Sequence, residues 1–429
     1  MTIASEISRL QTAKANIKAA IEAQWVTVPS SAKLDSYATY INAISCACPF
    51  WETITVSWTE ASDPTQFNPV WSDWAADAVA WDPRFDDWFW YSAVLLNTSW
   101  TVTSRMNQDW WEFSWVMSTL WNITSWDNVM IEFPVRWIKM TKSWSTITLS
   151  MTKKLNETWY QYYAFNRNWT IKDNLYLWAY KWSRVNNVLK SWSWQAKATS
   201  NTSNWVWYIS LSNTTTWARA CARANNTSIS TWSNGWDEIT WYARNYVNAM
   251  YMMKYGNPNS QSVVWQWYTW WSSVVNTWWT DSQKSATYWT SSNTVQCKLF
   301  WLEDRWGNCY EWLDWAFYNS ATNLRTATTN VLTNTSWSWA IFNQDVPIKS
   351  VTWNYLKAAS WTNEWMFAAT DWSWNNSTYY CDYFASRSGN GLDAGGNYNY
   401  GAFAGAFFVN YFTVSTDSSV LYGSRLMFL

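Results

Sequence analysis

The side chains that most often carry out catalysis are absent or scattered in this chain. Its 429 residues include no histidine, which excludes Ser-His-Asp and Cys-His catalysis and zinc sites built on histidine. The carboxylates nearest to a recognisable motif are Glu311 and Asp314, and a pair of carboxylates can serve as general acid and base. Because ionised carboxylates also accept hydrogen bonds from backbone N–H groups and arginines, we favour that structural role for both.

The other reactive groups give no stronger signal. The six cysteines include Cys46 and Cys48, whose spacing is unlike that of zinc ligands. The rest are scattered, which favours buried free thiols over a disulfide framework: Cys221, Cys297, Cys309 and Cys381. Gly389-Asn390-Gly391 predicts a turn, because no Lys-Ser/Thr pair follows it at phosphate-loop spacing. We expect no catalytic residue, no metal site and no cofactor.

Composition narrows the class of protein further. Only 14% of the residues are charged, and 29 Lys and Arg nearly balance 30 Asp and Glu. No basic stretch indicates nucleic-acid binding, and no apolar run approaches the roughly 18 residues of a membrane span. No signal-peptide pattern follows Met1. Abundant Ser, Thr and Asn favour a surface β protein, and we expect its release by cell lysis rather than by secretion.

Tryptophan is in large excess and glycine is scarce, with 46 Trp against 10 Gly. An average chain is about 7% glycine. The tryptophans alternate with serine in 191–194 and 336–339, and elsewhere they stand beside Asn, Asp, Ser and Thr, which favour turns. Glycine is the usual residue at such places, because an indole-bearing residue adopts a positive φ only at a cost.

Two interpretations of this excess are open. In the first, UGA codons that the organism reads as glycine are written as tryptophan. All but two tryptophans, Trp306 and Trp312, would then be glycine, which raises glycine from 10 to about 54 residues. In the second, the chain is a tryptophan-rich sugar binder. We favour the first, because it explains the turn contexts. It predicts exposed tryptophans on turns, several with positive φ, while Trp306 and Trp312 are buried.

Apolar periodicity predicts two helices at the start of the chain. Within 4–24, Ile7, Leu10, Ile17 and Ile21 recur at spacings of three, four and seven. Trp25 then stands where a glycine commonly ends a helix. A shorter helix is predicted near 33–44. Such a small helical segment buries little surface by itself, so we expect it to self-associate or to dock onto a larger structure.

The rest of the chain predicts a β-rich fold. Residues 49–112 indicate short strands and loops, and 145–151 and 174–180 are typical strands. The hairpin across 142–145 requires glycine at Trp144. One further helix is predicted over 239–255 and ends at Gly256-Asn257-Pro258. The predicted fold class is therefore α+β, with a helical attachment segment at 1–48, a β-rich connecting region at 49–112 and a ligand-binding domain at 113–429.

A family resemblance rests on residues 297–315, which read CKLFWLEDRWGNCYEWLDW. Trp306-Gly307-Asn308 and Glu311-Trp312 resemble the W-G-N-x-x-E-W signature of the C-type lectin fold, in the branch shared by formylglycine-generating enzymes and the variable proteins of diversity-generating retroelements. The resemblance implies a lectin-like domain over 113–429, with two indoles that anchor a loop-rich core. Formylglycine-generating enzymes use cysteines near their C-terminus. Only Cys381 follows Cys309, so the resemblance implies the fold without that chemistry.

The segment 395–429 resembles the closing variable region of retroelement-diversified receptor-binding proteins on phage tails. In that family a constant framework alternates with exposed, variable positions. The framework implied here is Gly395, Gly396, Gly401, Ala404, Gly405, Phe408, Val409, Gly423, Ser424, Arg425 and Leu426. The implied exposed positions are Asn397, Tyr398, Tyr400, Phe403, Tyr411, Phe412, Thr413, Asp417 and Leu421, with Tyr379, Tyr380, Asp382, Tyr383 and Ser386 as an extension of the same face.

Large and small residues also alternate in an ordinary packed β core, which is the alternative interpretation of this segment. We favour the binding face, because Asn397-Tyr398-Asn399-Tyr400 is polar and aromatic and lies between glycines. The resemblance implies a phage tail adhesin, located on the virion, that displays this face to a host surface protein or glycan. Its expected partners are other tail proteins and its own copies, as in a trimer. The alternatives are a host cell-surface lectin-like protein and, least favoured, a formylglycine-generating oxidase.

Overall fold

The computed structural model describes residues 3–22 and most of 52–105, 127–193 and 235–429. The larger gaps fall at 34–51, 60–67, 73–78, 106–126, 194–221, 226–234, 329–343, 376–381, 387–391 and 412–420. Within the described residues the fold is a β-rich α+β fold. No helix in this part of the chain has the length and apolar character that crossing a membrane requires.

The described helices are α1 (Ile3–Glu22), α2 (Arg84–Phe89), α3 (Trp241–Tyr255) and α4 (Ser260–Val264). The strands of the first half are β1 (Thr53–Thr59), β2 (Val70–Ser72), β3 (Ser92–Leu96), β4 (Val102–Arg105), β5 (Asn128–Pro134), β6 (Trp137–Ser143), β7 (Thr146–Thr152), β8 (Asn166–Arg167), β9 (Thr170–Ile171), β10 (Asn174–Trp178), β11 (Ser183–Val185) and β12 (Val188–Lys190).

The strands of the second half are β13 (Trp236–Glu238), β14 (Lys298–Leu299), β15 (Leu302–Glu303), β16 (Tyr310–Trp312), β17 (Ala316–Ser320), β18 (Asn323–Thr326), β19 (Gln344–Pro347), β20 (Val351–Ala359), β21 (Ala369–Ser373), β22 (Tyr383–Ser386), β23 (Asp393–Ala394), β24 (Val409–Asn410), β25 (Tyr422–Ser424) and β26 (Leu426–Phe428).

The helix predicted over 4–24 is confirmed as α1. Its apolar side chains Ile7 and Ile17 are 52% and 39% exposed, so no other described element covers this stripe completely. The second predicted helix at 33–44 and the helix end at Trp25 lie outside the described residues, apart from isolated positions.

Two sheets join residues from both sides of the domain boundary predicted at residue 112. The four-stranded sheet has the order β2-β1-β7-β6, and the six-stranded sheet has the order β13-β26-β10-β5-β3-β4. Ile54, Val56 and Trp58 alternate inward along β1, because successive side chains of a strand point to opposite faces. The prediction of a separate connecting region at 49–112 is therefore wrong, since its strands form ladders with strands of the following region.

Helix α3 lies in the core between these sheets. Its N-terminus is capped by the Thr240 hydroxyl, which accepts a hydrogen bond from the Ala243 N–H at 3.1 Å. It ends at Gly256, whose φ is 61°. Tyr246 packs against the rings of Phe133 and Phe165. All of its side chains are buried, so α3 forms the centre on which the sheets pack.

A seven-stranded mixed sheet carries the segments with the family resemblance. Its order is β21-β20-β22-β24-β23-β16-β25. Strand β16 pairs parallel to β25, with Glu311 opposite Gly423, and antiparallel to β23, with Glu311 opposite Ala394. The motif strand therefore lies between two strands of the C-terminal segment.

Tryptophan occupies most of the described left-handed backbone positions that lack glycine. Fourteen described residues other than glycine have a positive φ. Nine of them are tryptophan: Trp90, Trp144, Trp159, Trp169, Trp265, Trp267, Trp301, Trp315 and Trp353. Left-handed backbone costs a residue with a Cβ atom roughly 1–2 kcal/mol. The predicted positive-φ tryptophans are thus confirmed.

The exposure part of that prediction is also confirmed. Trp144 is 96% exposed on a hairpin turn, whereas Trp306 and Trp312 are buried. Burial does not single out those two residues, however. Trp178 and Trp236 are also completely buried, each in a regular strand.

Candidate functional site

The W-G-N-x-x-E-W segment forms a buried corner of the fold, as expected for an anchoring motif. The indole of Trp306 stacks on Trp267 with ring centroids 3.7 Å apart. The indole of Trp312 stacks on Tyr422 at 4.9 Å. Gly307 has a φ of 72°, and a Cβ atom there would lie 2.6 Å from the Tyr268 carbonyl oxygen. Glycine is therefore required at this position of the motif.

Glu311 is the electrostatic centre of this corner. Its carboxylate accepts hydrogen bonds from Arg244 and Arg305, both at 2.6 Å, and from Arg425 at 2.9 Å. Burial by itself would raise the pKa of Glu311, but the three guanidinium groups outweigh burial and hold that pKa at about 2. The structural role predicted for Glu311 is confirmed. The Asp314 carboxylate likewise accepts a hydrogen bond from the Trp315 backbone N–H at 2.7 Å.

Asn308 joins three loops at the edge of the same corner. Its side-chain oxygen accepts a hydrogen bond from the Val275 N–H at 3.1 Å. Its backbone carbonyl accepts one from the Tyr398 N–H at 3.1 Å, and its own N–H donates to the Tyr268 carbonyl at 2.7 Å. The motif therefore fixes the backbone of the segment that carries Tyr398.

The framework implied by the C-terminal resemblance is confirmed as interior. All eleven framework residues are buried. They are held by close backbone contacts: Gly396 has a φ of 72°, and a Cβ atom there would lie 2.6 Å from the Cβ of Ala404. Arg425 donates hydrogen bonds to the carbonyl oxygens of Ala179 at 3.0 Å and Glu303 at 2.6 Å. The side chains between the framework residues are thus presented from a rigid base.

An aromatic face is formed by partly exposed rings on this base. Tyr383 and Phe403 have ring centroids 4.1 Å apart, and Tyr355 lies 4.4 Å from Tyr383 and 5.7 Å from Phe403. Tyr400 adds a second group, with its ring 5.4 Å from that of Tyr310. These four partly exposed residues, Tyr355, Tyr383, Tyr400 and Phe403, are called the aromatic face below.

Tyr398 and Leu421 are also partly exposed, as predicted. The Tyr398 carbonyl accepts a hydrogen bond from the Trp271 N–H at 2.8 Å, and the Leu421 carbonyl accepts one from the Tyr310 N–H at 2.7 Å. Both residues are therefore attached by their backbones to loops and strands that border the aromatic face.

Three predicted face residues, Asp382, Asn397 and Tyr411, are buried instead of exposed, and the prediction of their exposure is wrong. The Asp382 carboxylate accepts hydrogen bonds from the Phe407 N–H at 2.8 Å and the Gln261 side chain at 3.3 Å. Burial raises the pKa of Asp382 to about 8. It therefore supports the loop behind the aromatic face and does not belong to the surface.

Asn397 and Tyr411 are interior for local reasons. The Asn397 side-chain oxygen accepts a hydrogen bond from the Asn399 N–H at 3.0 Å, so the amide closes its own turn. Tyr411 continues strand β24, and its N–H donates to the Ala385 carbonyl at 2.7 Å. Other predicted positions lie outside the described residues or have no described side chain: Tyr379, Tyr380, Ser386, Phe412, Thr413 and Asp417.

Sequence reasoning missed Tyr355, which lies on β20. Along that strand Trp353, Tyr355 and Lys357 are at least partly exposed, whereas Asn354 and Leu356 are buried. This alternation of two was available as a signal in the segment VTWNYLKAA.

Cys297 and Cys309 are buried free thiols, as predicted. The remaining four cysteines lie outside the described residues. Burial raises the pKa of the Cys297 thiol far above its ordinary value, which makes it a poor nucleophile at neutral pH.

Comparison with known proteins adds no assignment. No protein-family model matches the chain, and no curated protein is significantly similar to it.

Proposed function

We propose that this chain is a receptor-binding protein of a phage tail, and that its aromatic face binds a molecule on the surface of the host bacterium. Binding, and not catalysis, is the function that these residues support best. The observation that carries the proposal is the contrast within the C-terminal segment, where the framework residues are buried while Tyr383, Tyr400 and Phe403 reach the surface. Aromatic side chains on a rigid base supply large contact area at low entropic cost.

A C-type lectin-like domain is part of this proposal. Two features support it. The motif strand β16 lies between β23 and β25 of the C-terminal segment. Glu311 and Arg425, one from each segment, also form a buried ion pair. A loop-rich scaffold held in this way tolerates side-chain changes at its surface, since its stability comes from the interior.

The virion attachment is assigned to α1. Ile3, Ile7, Leu10, Lys14, Ile17 and Ile21 alternate at spacings of four and three, which is the a/d pattern of a coiled coil. Isoleucine at both a and d positions favours trimers or tetramers. We therefore expect α1 to join copies of the chain in the assembled tail, so that several aromatic faces act together.

The test is adsorption of the purified, fluorescently labelled protein to intact host cells. Tyr398, Tyr400 and Phe403 are replaced together by serine. We expect adsorption to fall at least about tenfold, since loss of a binding hot spot costs 2 kcal/mol or more. A matched control replaces Val70, Val79 and Leu155, which are exposed apolar residues elsewhere, by serine. Unchanged adsorption of the aromatic variant, or equal loss in the control, would overturn the proposal.

Location on the virion is tested separately by labelling purified phage particles with an antibody against the chain. Label at the tail tip supports the proposal. Label on the surface of uninfected cells would support the alternative, a display protein of the bacterium itself.

A further inference from the structure

The strongest unexplained feature of the chain is the set of tryptophans with left-handed backbone, and three of them lie in two-residue β-hairpin loops. Strands β8 and β9 pair with Arg167 opposite Thr170. The loop between them is Asn168-Trp169, with φ values of 46° and 64°. Positive φ at both loop residues defines a type I′ turn, for which Asn-Gly is the preferred sequence. Tryptophan thus stands where this turn requires glycine.

The second hairpin repeats the geometry. Leu299 of β14 lies opposite Leu302 of β15. The loop residues Phe300 and Trp301 have φ values of 52° and 64°. Glycine dominates the second position of type I′ turns, because it has no Cβ atom to clash.

The third hairpin joins β6 and β7, with Ser143 opposite Thr146. Its first loop residue, Trp144, has a φ of 56°, whereas Ser145 is not among the residues with positive φ. A positive φ at the first loop position alone is typical of a type II′ turn, which takes glycine there. Three independent hairpins therefore place tryptophan at their glycine positions.

Other left-handed tryptophans lie at further sites where glycine is usual. Trp90 ends α2 with φ 49° and ψ 46°, the helix-terminating conformation that glycine most often adopts. Trp265 follows α4 with φ 64° and ψ −179°, a region open essentially only to glycine. Trp353 has a φ of 136° and lies at a register shift in β20, where an interior glycine commonly marks a bulge.

Burial separates these residues from the tryptophans that pack. Trp144, Trp159 and Trp169 expose most of their ring surface, so the indoles stabilise the fold little in return for the strained backbone. Trp267 and Trp315 also have positive φ, but both are buried, and their indole N–H groups donate to Val264 and Asp237. These two are therefore excluded from the inference.

We propose that glycine occupies seven of these positions when the protein is made from its own gene: 90, 144, 159, 169, 265, 301 and 353. The physical basis is that UGA codons are read as glycine in the source organism, whereas the standard code writes this sequence with tryptophan. The inference does not depend on the proposed function. It also bears on the binding site, since position 353 borders Tyr400, with ring centroids 6.0 Å apart. A glycine there would leave the tyrosines and Phe403 as the ring donors of the aromatic face.

The deciding experiment is peptide mass spectrometry of the protein purified from its native source. Peptides that span positions 144, 159 and 169 are expected to carry glycine, which is much lighter than tryptophan. Tryptophan at these positions would overturn the inference.

A second measurement does not need the native source. Two versions are expressed with standard codons, one with tryptophan and one with glycine at all seven positions. We expect the glycine version to unfold at a higher temperature. A matched control places glycine at Trp178, Trp236 and Trp312, which are buried in regular strands, and is expected to unfold at a lower temperature. A lower Tm for the seven-glycine version would count against the inference.

Discussion

The Oε1 atom of Glu311 lies 2.9 Å from the Nε atom of Arg425, with both side chains completely buried. This pair joins the W-G-N-x-x-E-W segment to the C-terminal segment, 114 residues further along the chain. Because Arg244 and Arg305 reach the same carboxylate, Glu311 holds helix α3, the motif loop and the C-terminal strands together.

Replacing Glu311 by glutamine is expected to lower the free energy of unfolding by about 3–5 kcal/mol, since it leaves three buried guanidinium groups without a counter-charge. Urea denaturation at neutral pH measures this. The matched control is Asp345→Asn, which breaks an exposed pair with Arg325 and should cost less than about 1 kcal/mol. Equal losses in the two variants would contradict the central role of Glu311.

Asp382 predicts a loss of stability as the pH rises. Burial raises its pKa to about 8, although hydrogen bonds from Phe407 and Gln261 and the charge of Arg244 act in the opposite direction. A carboxyl whose pKa is higher in the folded state than in the unfolded state stabilises fully below the unfolded value of 3.8, and this contribution is lost as the pH rises through about 8.

The variant Asp382→Asn tests this, because the amide stays neutral. Its free energy of unfolding should change less between about pH 5 and pH 9 than that of the wild type. A pH dependence as steep as that of the wild type would show that other groups cause it. The variant Asp345→Asn again serves as the control and should keep the wild-type dependence.

The a/d pattern of α1 predicts self-association. Serine at both Ile7 and Ile17 removes two exposed apolar side chains from the stripe and is expected to convert the oligomer into a monomer, as measured by light scattering after size exclusion. The control replaces Ala15 and Ala19, on the opposite side of the helix, by serine. An oligomer that survives the first double substitution would place the contact elsewhere.

The framework and the surface positions should differ in their tolerance of substitution. Gly396→Ala introduces a Cβ atom at a φ of 72° and 2.6 Å from that of Ala404, so we expect a loss of about 1–3 kcal/mol. Asn399→Ala changes an exposed side chain of the same loop and should fall within about 0.5 kcal/mol of the wild type. Thermal unfolding of the two variants compares them directly, and similar Tm values would contradict the distinction.

Local signals predicted the local elements well. Helix α3 follows from apolar periodicity and from the Gly-Asn-Pro stop at 256–258, and the hairpin at 144 follows from alternation on both sides of a turn. The pairing of β1 with β7 could not be predicted, since it joins residues 53–59 to 146–152. Strand partners that distant are selected by packing in the whole fold rather than by local propensity.

The candidate site was predictable only in part. Small and apolar framework residues were correctly placed in the interior. Asn397 and Asp382 were assigned to the surface because they are polar, but a buried polar side chain is stable when backbone N–H groups satisfy it. Tyr355 was missed because it comes from a strand about 40 residues before the resembling segment, and only the folded sheet brings it to Phe403.

The six-stranded sheet has a consequence for the order of folding. Strand β26, residues 426–428, lies inside that sheet, between β13 and β10, and Tyr176 pairs with Phe428 across some 250 positions of sequence. The interior of this sheet can close only after these last strand residues have left the ribosome. Pairings at such separation fold slowly, because a long loop must be ordered before the contact forms. The chain should therefore acquire its core after synthesis, as one late cooperative step.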